Sequence, residues 1–414
     1  MPSKPALHDV VIVGAGPVGL TLAAALADAG FEVALIERQV RAALSDPQPD
    51  GREIALTHRA VDILRSLGLW QRIPAEAVSS IRAARVLNGR SSSYLGFDPQ
   101  DSGHSALGYL VPNQIIRKAA YAAVAARTAV DLRAGVQIET IQTAGDAAIV
   151  QLADGSCLHT RLLVAADSRF SETRRRMGIG AHSRDFGRTV VVCRLAHERP
   201  SDGIAYECFG YERTLALLPL NGQMVSAVVT VASDQAEALL QMPPEDFAAS
   251  LQAQFGARLG RLRLVGERHA YPLVAVHADR FSAHRFALAG DAAVGMHPVT
   301  AHGFNLGLYG VDALTRVLSA ARGSGRDIGQ LQTLSAYDAE HRRATLPLYL
   351  GTNALVGLFT DNRLPARLAR TAVLRLADHA RPLKAALMQR LTDALPPARW
   401  RPPPPNLAHP DPSA

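Results

Sequence analysis

A glycine-rich turn between two apolar runs near the N-terminus constrains the fold of this chain most. Val10-Val11-Ile12-Val13 is short, β-branched and wholly apolar, which predicts a strand buried on both faces of a parallel sheet. The turn Gly14-Ala15-Gly16-Pro17-Val18-Gly19 fits G-x-G-x-x-G and leads into Leu20–Ala29, an alanine- and leucine-rich segment typical of a tightly packed helix, closed by Gly30. A second apolar run ends in Glu37, roughly 20 residues further on. The pattern predicts a dinucleotide-binding βαβ unit.

Each part of this unit has a role in holding a dinucleotide. Gly14 permits the tight turn, Gly16 lets the backbone approach a pyrophosphate, and Gly19 allows the helix to pack closely on the strand. The helix that follows Pro17 presents unpaired N–H groups and the positive end of its dipole to the phosphates. Glu37 is expected to accept hydrogen bonds from the adenosine ribose hydroxyls.

Two more apolar runs end in an acid. Arg161–Ala166 is followed by Asp167, and Phe286–Ala289 by Gly290-Asp291. If all three runs are parallel strands, Glu37, Asp167 and Asp291 meet at the carboxyl edge of one sheet, where open α/β sheets bind ligands. The basic segment after Asp167 suggests a phosphate or ribose site; the alternative is an N-cap aspartate beside a solvated face. With a single G-x-G-x-x-G, one dinucleotide is expected to be held permanently.

The segments between these strands predict a second, antiparallel unit. Strands are expected at 81–87 and 93–97, and after residue 182 at 189–196, 205–209, 214–220 and 223–230. Residues 41–50 are expected to form a polar loop, and a helix is expected over 57–67. Arg52 is a candidate phosphate or flavin contact, with a solvated arginine at a helix start as the alternative. Asn113 is a candidate N-cap of the helix that begins near it.

The bulk composition limits the classes of function that fit this chain. At 414 residues two intimately packed domains are expected, and 48% hydrophobic with 20% charged residues suits a globular enzyme. The net charge of +7 invites a nucleic-acid partner, but the chain has no lysine-rich aromatic platform, so an anionic cofactor and an acidic membrane surface fit better. Cys157, Cys193 and Cys208 are odd in number and far apart, which predicts buried, reduced thiols without disulfides or a metal site.

The expected location is the cytoplasm, with peripheral membrane contact. The first strand begins within ten residues of Met1, which leaves no room for a signal peptide. The longest apolar stretch, Leu346–Thr360, is too short and too broken to span a bilayer. Beyond residue 360, arginines with leucines at helical spacing predict basic amphipathic helices for a membrane or a partner protein; a terminal helix pair with a solvated face is the alternative.

Taken together, Gly14–Gly19 with Glu37, the Asp167 element, and Gly290-Asp291 with His297-Pro298 resemble the FAD-dependent aromatic hydroxylases with the p-hydroxybenzoate hydroxylase fold. Within that class, segments 205–207, 217–220, 305–308 and 352–360 resemble the UbiH/UbiF/VisC-type ubiquinone-biosynthesis hydroxylases. Asp167-Ser168 replaces the usual Asp-Gly, and 300–303 replaces the usual Gly-Gln-Gly; both variants resemble the UbiM branch.

The resemblance implies a site residue by residue. The three glycines would cradle the FAD pyrophosphate, and Glu37, followed by Arg38, would hold the adenosine ribose. Asp291 would bind the ribityl chain. The remaining residues that the resemblance places at the cofactor are Pro17, Arg52, Gln114, Asp167 and Gly290, together with the backbone of Gly303, Phe304 and Asn305 facing the flavin ring.

The resemblance also implies the chemistry. Flavin reduced by NAD(P)H would react with O2 to give a C4a-hydroperoxide that hydroxylates a polyprenylated phenol or benzoquinol on the way to ubiquinone, with C5 as the expected carbon. His297 would be a polar group near the flavin, and His302 would bind substrate or flavin and assist phenol deprotonation; the alternative for both is loop scaffolding. Rival functions are a hydroxylase of small aromatic acids, a flavin reductase of polyprenyl groups, and a non-catalytic flavin-binding scaffold.

The expected architecture is α/β: a Rossmann-like FAD-binding domain with an inserted antiparallel-sheet substrate domain and C-terminal helices. The FAD-binding domain is assigned to residues 1–75, 106–181 and 274–345, and the substrate domain to 76–105 and 182–273. Residues 346–400 are expected to form the C-terminal helices, and 401–414 a proline-rich disordered tail.

Overall fold

The computed structural model describes residues 7–88, 94–98, 104–210, 213–297 and 303–360, together with Arg363, Pro365, Arg370 and Val373. Within them the strands, in chain order, are β1 (Leu7–Val13), β2 (Val33–Glu37), β3 (Glu53–Leu56), β4 (Ser79–Ile81), β5 (Ala83–Asn88), β6 (Tyr94–Phe97), β7 (Gly108–Pro112), β8 (Val130–Ala134), β9 (Ile138–Ala144), β10 (Ala147–Leu152), β11 (Cys157–Ala165), β12 (Ala181–His197), β13 (Ile204–Phe209), β14 (Thr214–Leu220), β15 (Met224–Ala232), β16 (Leu262–Ala278), β17 (Ser282–Ala283), β18 (Phe286–Leu288) and β19 (Val294–Gly295). The helices are α1 (Pro17–Asp28), α2 (Arg41–Ser45), α3 (His58–Ser66), α4 (Asn113–Ala125), α5 (Glu172–Arg176), α6 (Ala236–Gln241), α7 (Pro244–Phe255), α8 (Gly303–Gly323) and α9 (Leu331–Thr360).

The first sheet is the predicted nucleotide-binding framework. Its order is β17-β18-β11-β1-β2-β8, and the β9–β10 hairpin pairs with the first half of β11. Strands β1, β2, β8, β11 and β18 are parallel, and Val10, Val11 and Ile12 are fully buried, as expected for a strand covered on both faces. Because β2, β11 and β18 end at the same edge, Glu37, Asp167 and Asp291 follow one another along it, as predicted.

The second sheet is the predicted inserted unit. Its order is β19-β16-β12-β15-β14-β13-β5-β6, antiparallel except for the parallel pair β13–β5. One face is packed against α7 through a cluster that includes Phe247, Leu251 and Phe255. The other face lies against residues at and before β3, where Val192 approaches Gly51 and Arg194 pairs with Glu53. A small third sheet, β3-β7-β4, is antiparallel, and its strands alternate along the chain with strands of the two larger sheets.

Helices α8 and α9 complete the described fold. Helix α8 packs on α1 at Gly307, where an added Cβ would lie 2.6 Å from Val18 Cγ2. Helix α9 continues through Pro347 and runs past the expected boundary at 345/346, so the C-terminal part begins inside a helix. In the part of the chain that the structure describes, no helix combines the length and apolar character that a membrane span requires.

The α/β fold with an antiparallel sheet inserted is confirmed, three local expectations are wrong, and one strand was not predicted. Residues 41–50 are not all loop, because Leu44 is buried and anchors the short helix α2. The strand β3 was not expected. Asn113 is not an N-cap: it is the first helical residue, and its amide donates to the Asp50 carboxylate at 2.7 Å, a charge-assisted bond. Cys157 is exposed rather than buried.

The position of Cys157 explains its exposure, since it begins β11 on the solvent side of an alternating stretch. Cys193 and Cys208 are buried as predicted, and burial raises the pKa of each thiol to about 12. All three cysteines are free. The predicted basic segment beyond 360 lies outside the described residues except for the four isolated positions given above, and the tail 401–414 lies outside them entirely.

Candidate active site

The glycine turn has the geometry that its sequence predicts. Gly14 has φ +104°, and a Cβ there would lie 2.6 Å from the Ala166 carbonyl oxygen. A Cβ on Gly19 would lie 1.9 Å from the Gly14 carbonyl oxygen, so a side chain at either position is incompatible with this backbone. A Cβ on Gly16 would meet nothing within 4 Å. The backbone at Gly16 therefore borders open space at the point where a phosphate is expected.

Helix α1 directs its N-terminus into this space. Gly16 is the N-cap, Pro17 occupies the first turn, and no acidic residue lies there to neutralise the helix dipole. The unpaired N–H groups of a helix start together with its dipole form an anion site. Gly290, with φ +59°, packs closely against Val18, so the turn after β18 borders the same helix start.

The Glu37 carboxylate braces the turn. Its Oε2 accepts a hydrogen bond from the Ala15 backbone N–H at 2.8 Å, and its Oε1 accepts one from Gln39 N–H at 2.9 Å. Each carboxylate oxygen retains acceptor capacity beyond these bonds, which suits a ribose diol. Arg38 is exposed next to it.

The Asp167 and Asp291 carboxylates accept hydrogen bonds from residues of α5 and of the loop before it. Asp167 Oδ2 accepts from the Thr173 N–H at 3.3 Å and hydroxyl at 3.1 Å, while Asp167 Oδ1 is buried and has no hydrogen-bond partner within the described residues. Arg169 donates to Asp291 Oδ2 at 3.0 Å and to the Val274 carbonyl at 3.0 Å. Arg174 is buried and donates to the Ala292 carbonyl at 2.8 Å. Arg174 thus supports the Asp291 turn, and the phosphate or ribose role expected of this basic segment stays a prediction.

Arg52 lies in a network on the loop before β3. Its guanidinium donates to Asp50 Oδ2 at 2.6 Å from Nη2 and 3.1 Å from Nε, and stacks over the Tyr271 ring with its central carbon 5.2 Å from the centroid. The Tyr271 hydroxyl donates to the Asp50 carbonyl at 2.7 Å. Burial alone would raise the pKa of Asp50, but the bonds and charge of Arg52, with the Asn113 bond, lower it below its usual value. Gln114 follows Asn113 in the first turn of α4, partly exposed.

The start of α8 is fixed by Asn305. Its Nδ2 donates to the Ala55 carbonyl at 2.8 Å and its Oδ1 accepts from the Thr57 N–H at 3.1 Å. The side chain of Asn305 therefore clamps β3 and the start of α3. Gly303 borders open space and Phe304 is partly buried. These positions leave the backbone, rather than the Asn305 amide, as the group that can face a flavin.

Of the two candidate histidines, His297 is described and His302 is not; His302 lies with residues 298–301 outside the described residues. The His297 ring is buried, with its centroid 5.0 Å from that of Phe186 in an edge-to-face contact. Burial, aided by the Arg169 charge, lowers the pKa of His297 to about 4. The imidazole is therefore neutral at pH 7, and its direct role in the chemistry stays a prediction.

This pKa predicts how stability depends on pH. Unfolded His297 takes up a proton near pH 6.5, and the folded state does so only near pH 4, so its contribution is lost as pH falls through this window. Between pH 7 and pH 5 the unfolding free energy of the wild type should therefore fall by about 2 kcal/mol more than that of His297→Gln. Urea titrations at both pH values, with FAD in constant excess, measure it. Equal losses in variant and wild type contradict the burial of a neutral imidazole.

Two features of the site escaped the sequence interpretation. Glu53 is 1% exposed and pairs with Arg194, whose Nη2 lies 2.6 Å from Glu53 Oε1. Arg194 lies in the apolar run of β12, and a single cation in such a run was the sequence feature that could have indicated a buried ion pair. The hydrogen bond between Tyr271 and Asp50 joins residues 221 positions apart, so no local sequence pattern predicts it. In the described part of the chain, no group of three or more His, Cys, Asp or Glu side chains is arranged to hold a metal.

Comparison with known proteins gives consistent matches. The model of the family described as FAD binding domain matches residues 8–346. Ubiquinone hydroxylase UbiM of Neisseria meningitidis is 46% identical over 392 residues, 93% of this chain and 85% of that protein. Ubiquinone hydroxylase UbiL of Rhodospirillum rubrum is 37% identical, covering 96% and 92%. The solved structure of p-nitrophenol 4-monooxygenase PnpA of Pseudomonas putida superposes with a TM-score of 0.75 at 18% identity, over 94% of this chain and 99% of that one, which shows the shared fold.

Proposed function

Because this chain belongs to the UbiH/UbiF/VisC-type FAD-dependent ubiquinone-biosynthesis hydroxylases, on their UbiM branch, we propose that its substrate is a polyprenylated phenol or benzoquinol, hydroxylated at C5 of the ring. The chain is an FAD-dependent aromatic-ring monooxygenase that uses NAD(P)H and O2. One ring C–H becomes C–OH, the second oxygen atom becomes water, and NAD(P)H supplies the two electrons. The observation that carries the substrate class is the near full-length similarity to two ubiquinone hydroxylases.

The residues present fit FAD. When bound, FAD supplies hydride acceptance from NAD(P)H and activation of O2. The N–H groups of the first turn of α1 would hold the pyrophosphate over Gly16, where a side chain would fill the space. Glu37 would hold the adenosine ribose, and Asp291, to which Arg169 donates, would hold the ribityl chain. The unsatisfied Asp167 Oδ1 is a further acceptor next to Gly14.

We propose that the substrate ring and its tail bind between the inserted sheet and α9. The Phe209 ring of β13 lies 4.0 Å from the Phe359 ring of α9, centroid to centroid, so the two proposed walls meet there. Both are mostly apolar, which excludes water from the reacting ring and suits a polyprenyl chain.

Oxygen consumption tests the proposed function. With FAD and NAD(P)H, we expect a short-chain demethoxyubiquinol analogue to stimulate O2 uptake and to yield a product heavier by one oxygen atom. Stimulation by 4-hydroxybenzoate alone would identify a small-acid hydroxylase, and NAD(P)H oxidation with a reduced prenyl chain would identify a reductase. Inactivity with every substrate would leave the scaffold function. NMR of the product decides whether C5 is the hydroxylated carbon.

The substrate tail also calls for access from a bilayer, and we include peripheral membrane contact through α9 in the proposal. Leu346 and Leu350, one turn apart on this helix, are 38% and 57% exposed, and exposed Arg343 precedes them. An apolar helix face beside basic residues, on a chain of net charge +7, fits an anionic lipid surface.

Vesicle binding tests this contact. We expect L346E/L350E to lower co-sedimentation with vesicles containing anionic phosphatidylglycerol at least fivefold, because each glutamate adds repulsion and removes apolar area. Leu331→Glu, at the other end of the same helix and 52% exposed, is the matched control and should bind as wild type. Unchanged binding of the double variant would rule out this face and leave the basic residues beyond 360.

A further inference from the structure

Glu207 is an ionisable residue on the sheet face that borders the proposed substrate space. In β13, Tyr206 and Cys208 belong to the cluster under α7, where the Tyr206 ring lies 5.0 Å from the Phe255 ring. Side chains alternate along a strand, so Glu207 and Phe209 point to the opposite face. The contact of Phe209 with Phe359 of α9 confirms the direction of that face.

The sheet register places Glu207 in a row that is otherwise apolar from β5 to β12 and reaches His269 on β16. It lies opposite Val86 of β5 and Ala216 of β14, and the row continues through Val228 of β15 to Val192 of β12. Val192 Cγ2 is 3.0 Å from where a Cβ on Gly51 would stand, next to Arg52. Three strand spacings separate Glu207 from Val192, about 14 Å. The row thus runs from beside the Arg52 loop across β12, β15 and β14 to the Glu207 carboxyl, and continues through Val86 of β5.

The surroundings of Glu207 explain its protonation state. Burial raises the pKa of the Glu207 carboxyl to about 8, and no cation or hydrogen bond among the described residues offsets it. Glu207 nevertheless keeps some accessible surface, as do Val228 and Leu218 on the same face, whereas Leu215, Leu217 and Val229 on the opposite face are buried. Glu207 therefore faces a space inside the protein. A neutral carboxylic acid there both donates and accepts hydrogen bonds.

The charged side chains on this sheet face restrict the class of substrate that fits beside Glu207. Arg194 points to the same face one row away, but both of its bonded nitrogens, Nε at 3.0 Å and Nη2 at 2.6 Å, go to Glu53. Its charge is therefore matched by a carboxylate. A substrate carboxylate placed near Glu207 would meet another acid, and the Arg194 charge of the neighbouring row is already matched by Glu53, so burying the carboxylate there is costly. A neutral hydroxylated ring would find a hydrogen-bond partner.

We propose that Glu207 binds a ring oxygen of the substrate by a hydrogen bond and so selects neutral phenols and quinols over aromatic acids. This inference rests on the proposed function and adds a specificity-determining residue to it. Glu207 holds the ring against the sheet, and the carbon presented to the cofactor side is set by which ring oxygen it holds.

Substitution of Glu207 in the holoenzyme tests the inference. Glu207→Leu removes the hydrogen bond at similar volume, and Glu207→Gln keeps it. For a short-chain demethoxyubiquinol analogue, we expect E207L to raise Kd, read from the flavin absorbance change without NAD(P)H, and KM about tenfold, and to lower the fraction of NAD(P)H oxidation that yields product. E207Q should stay within about threefold of wild type.

The controls separate binding from structure. Ser226→Ala removes a buried, unbonded hydroxyl from the same face at a residue that is 1% exposed, and should change nothing. The wild type should bind an analogue with both ring hydroxyls methylated about tenfold more weakly, and this test needs no variant. Equal Kd for both analogues, or E207L binding like wild type, overturns the inference. Absence of quinol-stimulated O2 uptake by the wild type, with Kd still dependent on Glu207, contradicts the proposed function alone.

Discussion

Gly16→Val is expected to give a folded protein that no longer retains FAD. Gly16 has φ −68° and ψ 176°, a conformation open to any residue, and its Cβ position is free of protein atoms within 4 Å. The valine would instead occupy the pyrophosphate position and break two or more charge-assisted hydrogen bonds of about 1.5–3 kcal/mol each. FAD affinity should fall by at least about 100-fold, measured by flavin fluorescence.

The matched control is Gly323→Val, at the far end of α8, where a Cβ also meets nothing within 4 Å. It should keep wild-type FAD content. Gly16→Val replaces an N-cap glycine and should lose only about 1 kcal/mol of stability, whereas Gly19→Ala, with its Cβ 1.9 Å from a carbonyl oxygen, should disrupt the turn. Wild-type FAD content in Gly16→Val would show that the cofactor lies elsewhere.

Arg194→Met is expected to destabilise the fold by about 3 kcal/mol at pH 7, a figure lowered for the 40% exposure of Arg194. The variant leaves the Glu53 carboxyl, 1% exposed, without its partner. Burial already raises the pKa of Glu53, and loss of the Arg194 charge raises it further. An acid with a raised folded pKa loses stability as pH rises through its unfolded value of 4.5, so the penalty should be smaller at pH 5.

Urea unfolding at pH 5 and pH 7 measures this effect. E53M/R194M, which replaces the pair by apolar side chains, should recover most of the loss. Arg263→Met, an exposed arginine on β16, is the control and should change stability by less than about 0.5 kcal/mol. A pH-independent penalty in Arg194→Met, or no recovery in the double variant, would contradict the buried pair.

Local patterns in the sequence predicted the glycine turn and the acidic sheet edge because both depend on residues close together in the chain. The turn at Gly14–Gly19 needs its glycines within six residues, and β2 and β18 each end directly at their acidic turn. Parallel strands bring their ends to one edge, so Glu37, Asp167 and Asp291 were placed without any knowledge of tertiary contacts. The antiparallel sheet was equally visible, since alternation and turns repeat along it.

Contacts between distant segments were not predictable in this way. Glu53 and Arg194 are 141 residues apart, so even the unusual position of Arg194 in an apolar run does not identify its partner. Asn113 looked like a cap because helix starts favour such residues, but the Asp50 carboxylate, 63 residues earlier, is its partner. Glu207 occupies a strand position whose facing side is known only once the register with β5 and β14 is known.

The most direct test of the account is the fate of molecular oxygen. Purified protein with FAD, NAD(P)H and a short-chain demethoxyubiquinol analogue should be incubated under ¹⁸O2 and the product analysed by mass spectrometry. We expect one ¹⁸O atom per product molecule, bonded to the ring, and no such product without FAD. A ring hydroxyl carrying oxygen from water, or an unaltered ring while NAD(P)H is consumed, would contradict it.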